Sequence, residues 1–456
     1  MVMGATLEPA TSFSARSVVL MPVAKRFYIE TLGCPKNQVD SDKLMGTLLA
    51  DGMVATDDAG LADLVVVNTC AFIGEARQES IDTILALEEQ RRDGARLVVT
   101  GCMAERYGDE LADALPEVDQ VAGFGVSVNV LATPTQPAAK GRKLIPVGSA
   151  PVPTLDLLNL PRPKSSSPWA YVKIAEGCDR SCGFCAIPSF RGPQRSRDVS
   201  SILAEVEQLQ AREIVLIAQD LASYGKDRPD ELGAGSIVPL VKAVTAATDW
   251  VRLLYLYPSD LSDDLIDAIC ATKVPYFDLS LQHVSKPLLR RMRRWGDGGR
   301  FLRRIEDIRA REPMAAFRSN FIVGYPGETE ADHDQLLDFV ESAQLDWCGF
   351  FAYSPEEGTY AVGLDGAVDE TLMHERLAEL RELQDSITAS RRDALIGETL
   401  RVLVDERGVG RSHHEAPEID GVIHVADDLA VGEFHDVSIV NALGPDLVAV
   451  GAAEVD

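Results

Sequence analysis

The chain has 456 residues, a length typical of about three domains, and a formal net charge of −27. Hydrophobic residues make up 46% and charged residues 25%, which is the balance of a folded globular protein and excludes wholesale disorder. No apolar run approaches the roughly 18 residues of a membrane helix, and such acidity disfavours general binding of nucleic-acid backbones.

The cysteine content points to a reducing compartment. Eight cysteines in a chain of this length are too few for a disulfide scaffold. Residues 1–24 are interpreted as a flexible extension rather than a signal peptide, because a full apolar region and a cleavage site are missing. A cytoplasmic location is therefore expected, where grouped cysteines serve as metal ligands or redox groups.

Three cysteines in the predicted first domain, residues 25–131, each follow a short β-branched run. They are Cys34, Cys70 and Cys102, here called the sheet trio, and about one strand and one helix separates each from the next. Because parallel strands joined by crossover helices align their carboxyl ends, the trio is expected at one edge of a parallel α/β sheet. One such cysteine would be interpreted as a core residue, but three at equivalent positions favour a metal site.

The middle of the chain predicts a parallel, TIM-like β/α barrel, complete or incomplete. Residues 132–168 hold eight of the 24 prolines and are interpreted as a linker, and strand–helix alternation then fills residues 169–394. Barrels of this kind carry their functional sites at the carboxyl ends of the strands. The six predicted strands are Tyr171–Ala175, Glu213–Ala218, Val251–Leu256, Tyr276–Leu281, Arg318–Val323 and Cys348–Tyr353.

The last segment, residues 395–456, has the short strands and glycine turns of a small β-barrel. It contains three Arg, no Lys and thirteen Asp or Glu residues, for a formal charge of −10. An acidic surface repels phosphate and favours encounter with a basic partner. The alternative is that the acidity serves solubility only.

The loop after the first predicted barrel strand has the spacing of an iron–sulfur ligand set. Cys178, Cys182 and Cys185, here called the loop trio, form a CxxxCxxC pattern without a fourth Cys or His close by in sequence. Three thiolates hold three corners of a cubane cluster and leave the fourth iron open for a ligand. An open metal position is typical of a catalytic site. A zinc knuckle and an electron-transfer cluster are the alternatives.

The stretch Glu176–Cys185 resembles the radical S-adenosylmethionine (SAM) superfamily. The resemblance implies that SAM binds the open iron and is cleaved to a 5′-deoxyadenosyl radical, which abstracts hydrogen from an unactivated carbon. By analogy, Phe184 would pack near the adenine and Gln282 would reach the ribose. Asn320 and Gly324 would line the adenine and methionine side. No residue is assigned a catalytic role.

The chain from about residue 25 to residue 456 resembles one branch of that superfamily, the methylthiotransferases, which are built from a three-cysteine domain, a radical SAM barrel and a TRAM domain. The resemblance implies two 4Fe-4S clusters, one on the loop trio and one on the sheet trio, each with an open iron. The cluster on the sheet trio would present or donate sulfur. One SAM would methylate the sulfur and another would supply the radical, so that the product carries a methylthio group.

Four stretches resemble the group that modifies the β-carbon of an aspartate in ribosomal protein S12, namely 32–37 (LGCPKN), 185–192 (CAIPSFRG), 281–283 (LQH) and 416–421 (APEIDG). The resemblance implies S12 as the substrate, free or in the small ribosomal subunit, with an electron donor and a sulfur source as further partners. No membrane and no tRNA partner is expected. The alternatives are the same chemistry on a tRNA adenosine, and a non-catalytic iron–sulfur or zinc-binding scaffold.

Two groups of arginines are also singled out. Nine Arg lie from Arg290 to Arg311, and they are interpreted as an exposed helix face paired with acidic neighbours rather than as an RNA contact. Arg191, Arg195 and Arg197 follow the loop trio. They are expected to order that loop or to orient the target carboxylate.

Overall fold

The computed structural model describes residues 24–126, 128, 156–229 and 237–451. The predicted extension at 1–24 lies outside the described residues except for residue 24. The predicted linker at 132–168 is described only from residue 156 onward. In the described part of the chain, no helix is both long and apolar enough to cross a membrane.

The N-terminal domain is a parallel sheet with helices around it. Its elements are β1 (Arg26–Thr31), α1 (Pro35–Ala50), β2 (Val54–Ala55), β3 (Leu64–Thr69), α2 (Gly74–Gln90), β4 (Arg96–Gly101), α3 (Cys102–Ala114) and β5 (Gln120–Val121). The strand order is β2-β1-β3-β4-β5, and the pairs are parallel. Every residue of β3 is buried, as in a strand covered on both faces. The predicted parallel α/β domain is confirmed.

The central domain is a curved sheet of six parallel strands in chain order. The strands are β6 (Trp169–Lys173), β7 (Glu213–Ile217), β8 (Trp250–Leu253), β9 (Tyr276–Gln282), β10 (Ala316–Val323) and β11 (Trp347–Ala352). In the first half of the sheet, β7 pairs in parallel with β6 and β8, and in the second half, β10 pairs in parallel with β9 and β11. A bridge between Leu256 and Leu279 connects the two halves. No pairing among the described residues joins β6 to β11. The predicted barrel is thus confirmed in its incomplete form.

Helices cover the outer face of this sheet. They are α5 (Val199–Leu209), α6 (Ile237–Thr245), α7 (Asp263–Cys270), α8 (Lys286–Arg291), α9 (Gly298–Arg311), α10 (Glu330–Ala343) and α11 (Glu370–Asp393), whereas the short α4 (Ile187–Arg191) packs against the core of the N-terminal domain. The amphipathic pattern of α9 shows why: Phe301, Ile305 and Ile308 are buried on one stripe while the arginines between them face outward. One continuous apolar core joins these helices to the outer face of the strands.

The C-terminal domain is a closed five-stranded barrel, as predicted. Its strands are β12 (Thr399–Glu406), β13 (Val409–Arg411), β14 (Ile423–His424), β15 (Phe434–Leu443) and β16 (Asp446–Gly451). Its own small apolar core is built from alternate residues of these strands. The limits proposed from the sequence for the three domains and the linker stay predictions.

A buried ion pair fastens the C-terminal barrel to the central domain. Glu213, the first residue of β7, accepts from Arg252 Nε and from Arg411 NH1, each at 2.8 Å. Arg252 also donates to the carbonyl of His413 at 2.9 Å. The side chains of Glu213 and Arg252 are fully buried and that of Arg411 is 2% exposed. The carboxylate therefore holds one guanidinium from each domain.

Two carboxylates of the acidic C-terminal domain are structural rather than available to a partner. Asp420 accepts a hydrogen bond from Tyr276 at 2.6 Å, and burial raises its pKa to about 6. Glu415 is fully buried and pairs with Arg392. The expectation of an acidic docking surface therefore narrows to the exposed carboxylates, which are Glu398, Glu406, Glu418, Asp427, Asp428, Glu433 and Asp436.

Part of the basic stretch Arg290–Arg311 is paired with acidic neighbours, as its interpretation expects. Arg304 and Arg311 both contact Asp263, at 2.7 and 3.2 Å, and Arg300 pairs with Asp297 at 3.3 Å. Arg294 is buried instead. Its side chain contacts Cys182 of the loop trio.

The ion pair at Glu213 can be tested by removing the carboxylate. Glu213→Ala leaves two guanidinium groups buried without their counter-charge, and we expect a loss of about 3–5 kcal/mol in the free energy of unfolding. Glu406→Ala, at an exposed position of the same C-terminal barrel, is the control and is expected to change it by less than about 0.5 kcal/mol. Urea denaturation measures both, and equal small losses would contradict the role of Glu213.

Candidate functional site

The sheet trio lies at the carboxyl ends of three adjacent strands. Cys34 follows β1 and caps α1, Cys70 follows β3, and Cys102 follows β4 as the first residue of α3. The parallel register aligns these strand ends. Cys70 and Cys102 are buried, and Cys34 is half-buried. Topology thus brings together three thiols that are far apart in sequence.

Gly33 allows the Cys34 loop to approach Cys70. Its φ is +97°, and a Cβ atom at this position would lie 2.8 Å from Cys70 Cβ and 3.0 Å from Cys70 Sγ. Burial raises the pKa of the Cys70 thiol to about 12, and the neighbouring Cys102 and Cys34 add to the rise. The three thiols therefore affect one another's ionisation. Their thiolate forms require nearby positive charge, from a metal or from cationic side chains.

Asn37 connects the loops that carry the sheet trio. Its amide nitrogen donates to the carbonyl of Leu32 at 2.8 Å and to that of Thr69 at 3.0 Å, and its side chain is fully buried. Its Oδ1 lies 3.5 Å from Cys102 Sγ. This positioning role was not predicted. The signal available in the sequence is that Asn37 ends the stretch 32–37 (LGCPKN), one helical turn after Cys34.

The loop trio follows β6 in a loop that backbone hydrogen bonds hold in shape. The N–H of Cys178 donates to the carbonyl of Gly192 at 3.1 Å, and the N–H of Cys185 donates to that of Cys182 at 3.2 Å. Burial raises the pKa of the Cys185 thiol to about 12, and Cys182 and Cys178 add to the rise. The three thiols are therefore neighbours at the carboxyl end of the first barrel strand.

Three of the residues predicted to contact SAM lie near the carboxyl ends of the strands. Phe184 packs against the barrel core, edge-on to Tyr325 with 6.5 Å between the ring centroids. Gln282 ends β9 in a left-handed conformation, with a φ of +70°. On the neighbouring β10, the buried Oδ1 of Asn320 is without a hydrogen-bond partner among the described residues. An acceptor in this state fits a ligand that donates a hydrogen bond to it.

The contacts of Gly324 within the protein require a glycine even without a bound ligand. Its φ is +81°, and a Cβ atom there would lie 2.5 Å from Met373 Sδ. Its N–H donates to Glu328 Oε2 at 2.6 Å. Because packing and backbone conformation explain this glycine, the expected contact of Gly324 with SAM stays a prediction.

Four charged side chains form a network, here called the buried quartet, between the N-terminal domain and the barrel. Lys173 and Arg191 supply the positive charges, and Asp40 and Glu176 supply the negative ones. Lys173 donates to Asp40 and, at 2.6 Å, to Glu176. Arg191 donates to Glu176 Oε1 at 2.9 Å and to Asp40 Oδ2 at 3.2 Å. The charges balance, which offsets part of the cost of removing them from water.

Arg191 also reaches the sheet trio. It donates to Cys102 Sγ at 3.1 Å and to Asn37 Oδ1 at 2.8 Å. Burial disfavours its charge, but Cys102, Glu176 and Asp40 hold the pKa of Arg191 well above its ordinary value. Since Glu176 precedes Cys178 by two residues, one side chain links the surroundings of both trios. Arg191 thus orders this region from within, and it is buried rather than turned to a substrate.

A second contact joins the sheet trio side of the N-terminal domain to the last barrel strand. Ser354 and Glu356 follow β11. Ser354 accepts from the N–H of Gly74 at 3.2 Å, and Glu356 accepts from Arg106 at 2.7 Å. The N-terminal domain therefore contacts the carboxyl ends of both β6 and β11. It lies across the open side of the barrel. The sheet trio is on the side of the carboxyl ends of the barrel strands, here called the mouth.

Arginine N–H groups that donate to cysteine sulfur make the surroundings of both trios compatible with bound iron–sulfur clusters. Among the described residues, no three His, Cys, Asp or Glu side chains converge on a point that would hold a single ion. A cubane cluster needs no such point, because each cysteine binds a different iron. Arg294 donates to Cys182 Sγ at 3.2 Å, as Arg191 does to Cys102. Such N–H donors suit thiolates that bind a cluster, so both trios fit the implied group.

Comparison with known families divides the chain into the same three parts. Residues 26–123 match the uncharacterized protein family UPF0004, residues 172–340 match the radical SAM superfamily, and residues 396–451 match the TRAM domain. The first match contains the sheet trio, and the second contains the loop trio.

Two curated relatives match nearly the whole chain. The chain is 42% identical to the ribosomal protein uS12 methylthiotransferase RimO of Cutibacterium acnes, over 92% of this chain and 97% of that protein. It is also 42% identical to the protein of the same name from Moorella thermoacetica, over 88% of this chain and 93% of that protein. Among solved structures, it is similar to the radical SAM methyltransferase TsrM of Kitasatospora setae, with a TM-score of 0.46, 14% identity and coverage of 90% of this chain and 82% of that one.

The close approach at Gly33 can be tested with a matched glycine. Gly33→Ala and Gly52→Ala both place an alanine in the left-handed region, which costs about 1–2 kcal/mol. Nothing lies within 4 Å of a Cβ at Gly52, whereas at Gly33 the Cβ meets Cys70. We expect Gly33→Ala to lose about 1–3 kcal/mol more in the free energy of unfolding. Equal losses in urea denaturation would show that the Cys70 contact imposes no constraint.

Proposed function

The chain belongs to the family of ribosomal protein uS12 methylthiotransferases, and on this premise we propose that it replaces one hydrogen on the β-carbon of an S12 aspartate with a methylthio group. It is a radical SAM enzyme that uses iron–sulfur and SAM chemistry. The observation that supports the proposal most strongly is the position of the sheet trio. The edge that carries it meets the carboxyl ends of the first and last barrel strands, where the loop trio lies.

We propose that each trio binds one 4Fe-4S cluster through its three cysteines. When bound, these groups and SAM supply the sulfur, the methyl group and the radical that removes hydrogen from the substrate carbon. The chain holds the two sites at one mouth. The buried quartet fixes the sheet trio side, and the backbone bonds of Cys178 and Cys185 fix the loop trio side.

The remaining residues of the site orient SAM and exclude water. The partly buried Phe184, backed by the fully buried Tyr325, offers an aromatic face for an adenine, and Asn320 Oδ1 is an acceptor without a partner among the described residues. Gln282 is assigned to the ribose. Arg180 steadies the loop trio from the side, since it donates to Asp220 Oδ2 at 2.6 Å and its guanidinium carbon lies 3.9 Å from the centre of the Tyr257 ring.

The charge distribution supports a protein substrate over tRNA. The exposed carboxylates of the C-terminal barrel include Glu398, Glu406 and Asp428, which would attract a basic ribosomal protein and repel RNA. In the basic stretch that would favour tRNA, Arg300, Arg304 and Arg311 pair with acidic residues and Arg294 is buried. We propose S12 as the partner, with an electron donor and a sulfur source, in the cytoplasm where ribosomal proteins are made.

A competition between substrates tests the proposal. Protein with both clusters reconstituted is incubated anaerobically with SAM, a reductant, sulfide, and either S12 or unmodified tRNA. We expect mass spectrometry to find the methylthio group on one aspartate of S12 and none on tRNA. Modified tRNA would reverse the substrate. Absence of SAM cleavage would contradict a catalytic role and favour a scaffold.

The division of labour between the trios predicts two different defects. Cys182→Ala should reduce SAM cleavage to background, because the loop trio provides the SAM site. Cys70→Ala should retain SAM cleavage and lose methylthio transfer, because it disrupts only the sheet trio. Cys270→Ser, a cysteine of α7 outside both trios, is the control and should retain both activities. Loss of SAM cleavage in Cys70→Ala would contradict the two-cluster assignment.

A further inference from the structure

Each cysteine trio has one sulfur that accepts a hydrogen bond from a buried arginine. Arg191 donates to Cys102 of the sheet trio at 3.1 Å, and Arg294 donates to Cys182 of the loop trio at 3.2 Å. Both arginines are only 9% exposed. A guanidinium N–H removed from water is a strong, charge-assisted hydrogen-bond donor, so its effect on a neighbouring sulfur is larger than at the surface.

Arg191 cannot easily turn away from Cys102. One of its terminal nitrogens is shared between Glu176 and Asp40, and the other between Asn37 and the sulfur. Arg191 ends α4 in the central domain, whereas Asp40, Asn37 and Cys102 belong to the N-terminal domain. The donor to the sheet trio is therefore supplied by the other domain.

Arg294 is held just as firmly beside the loop trio. It follows α8, directly after Arg293, whose φ of +56° turns the chain back toward the barrel. Its second terminal nitrogen donates to the carbonyl of Ser280, and its guanidinium carbon lies 4.3 Å from the centre of the Tyr257 ring. The carbonyl and the ring are neutral partners that leave its positive charge directed at the sulfur.

The arrangement has a consequence for electron transfer. A cluster that accepts an electron becomes more negative, and a cationic N–H donor on a ligand sulfur stabilises that extra charge. Hydrogen bonds to cluster sulfurs are among the determinants of reduction potential. Because the two arginines contact different trios, each is placed to act on one cluster.

We propose that Arg191 and Arg294 are positioning residues that raise the reduction potentials of the two clusters independently, Arg191 that of the sheet trio cluster and Arg294 that of the loop trio cluster. This inference rests on the two-cluster assignment made under the proposed function. It assigns to a residue of the central domain control over a cluster of the N-terminal domain.

The experiment observes one cluster at a time in the full-length, anaerobically reconstituted protein. Cys182→Ala leaves only the sheet trio cluster, and Cys70→Ala leaves only the loop trio cluster. Arg191→Met and Arg294→Met are added to each background. Iron and sulfide are measured first, and the midpoint potential is then taken from the EPR signal during a redox titration.

In the Cys182→Ala background, we expect Arg191→Met to lower the potential by an amount equal to about tenfold in the reduction equilibrium, which is about 59 mV for one electron. Arg294→Met should leave that potential unchanged. In the Cys70→Ala background the two effects should exchange. Arg191→Lys and Arg294→Lys, which keep the charge and one donor, should recover part of each shift.

Failure of the two-cluster assignment and failure of the proposal about the two arginines give different results. If Cys182→Ala alone holds no iron and sulfide, the two-cluster assignment is wrong, and this inference falls with it. If the cluster is present but Arg191→Met and Arg294→Met shift its potential equally or not at all, the inference alone is overturned. Loss of the cluster from both Arg191→Met and Arg191→Lys, with the fold retained by circular dichroism, would also overturn it, because Arg191 would then serve assembly.

Discussion

The buried quartet is the constraint on which the rest of the site depends. Burying four charges costs free energy that their mutual attraction offsets, so we infer that the quartet contributes more to specificity than to stability. Lys173 and Arg191 can be satisfied only when Asp40 of the N-terminal domain lies beside Glu176 of the barrel. We infer that the quartet selects one docking arrangement, and with it the position of the sheet trio relative to the loop trio.

The N-terminal domain docks at the open side of the incomplete barrel. With β6 and β11 unpaired to one another, the central domain has an open side, and the N-terminal domain contacts the carboxyl ends of both strands. At β7, the ion pair at Glu213 binds the C-terminal barrel to the same sheet. Different strands of one sheet thus anchor the two flanking domains through buried charges. The N-terminal domain thus encloses one side of the mouth, next to both trios.

Local patterns in the sequence predicted both cysteine trios. The sheet trio could be placed because each cysteine ends a β-branched run, and parallel topology then fixes a common edge. The CxxxCxxC spacing located the loop trio in the same way. The contacts of Arg191 with Cys102 and of Arg294 with Cys182 span 89 and 112 residues, and they depend on how domains and loops pack. No periodicity encodes such packing. The burial of Asp420 was missed for the same reason, since composition counts a carboxylate without showing where it points.

The distance between the two clusters is the most direct test of the idea that the quartet holds both trios at one mouth. The measurement is the EPR spectrum of the fully reduced protein with both clusters loaded, compared with the spectra of Cys182→Ala and Cys70→Ala. Two paramagnetic clusters held close together broaden or split each other's signals. We expect a spectrum that differs from the sum of the two single-cluster spectra. A simple sum, with full iron content and both clusters reduced, would show that the clusters are far apart and would contradict the arrangement.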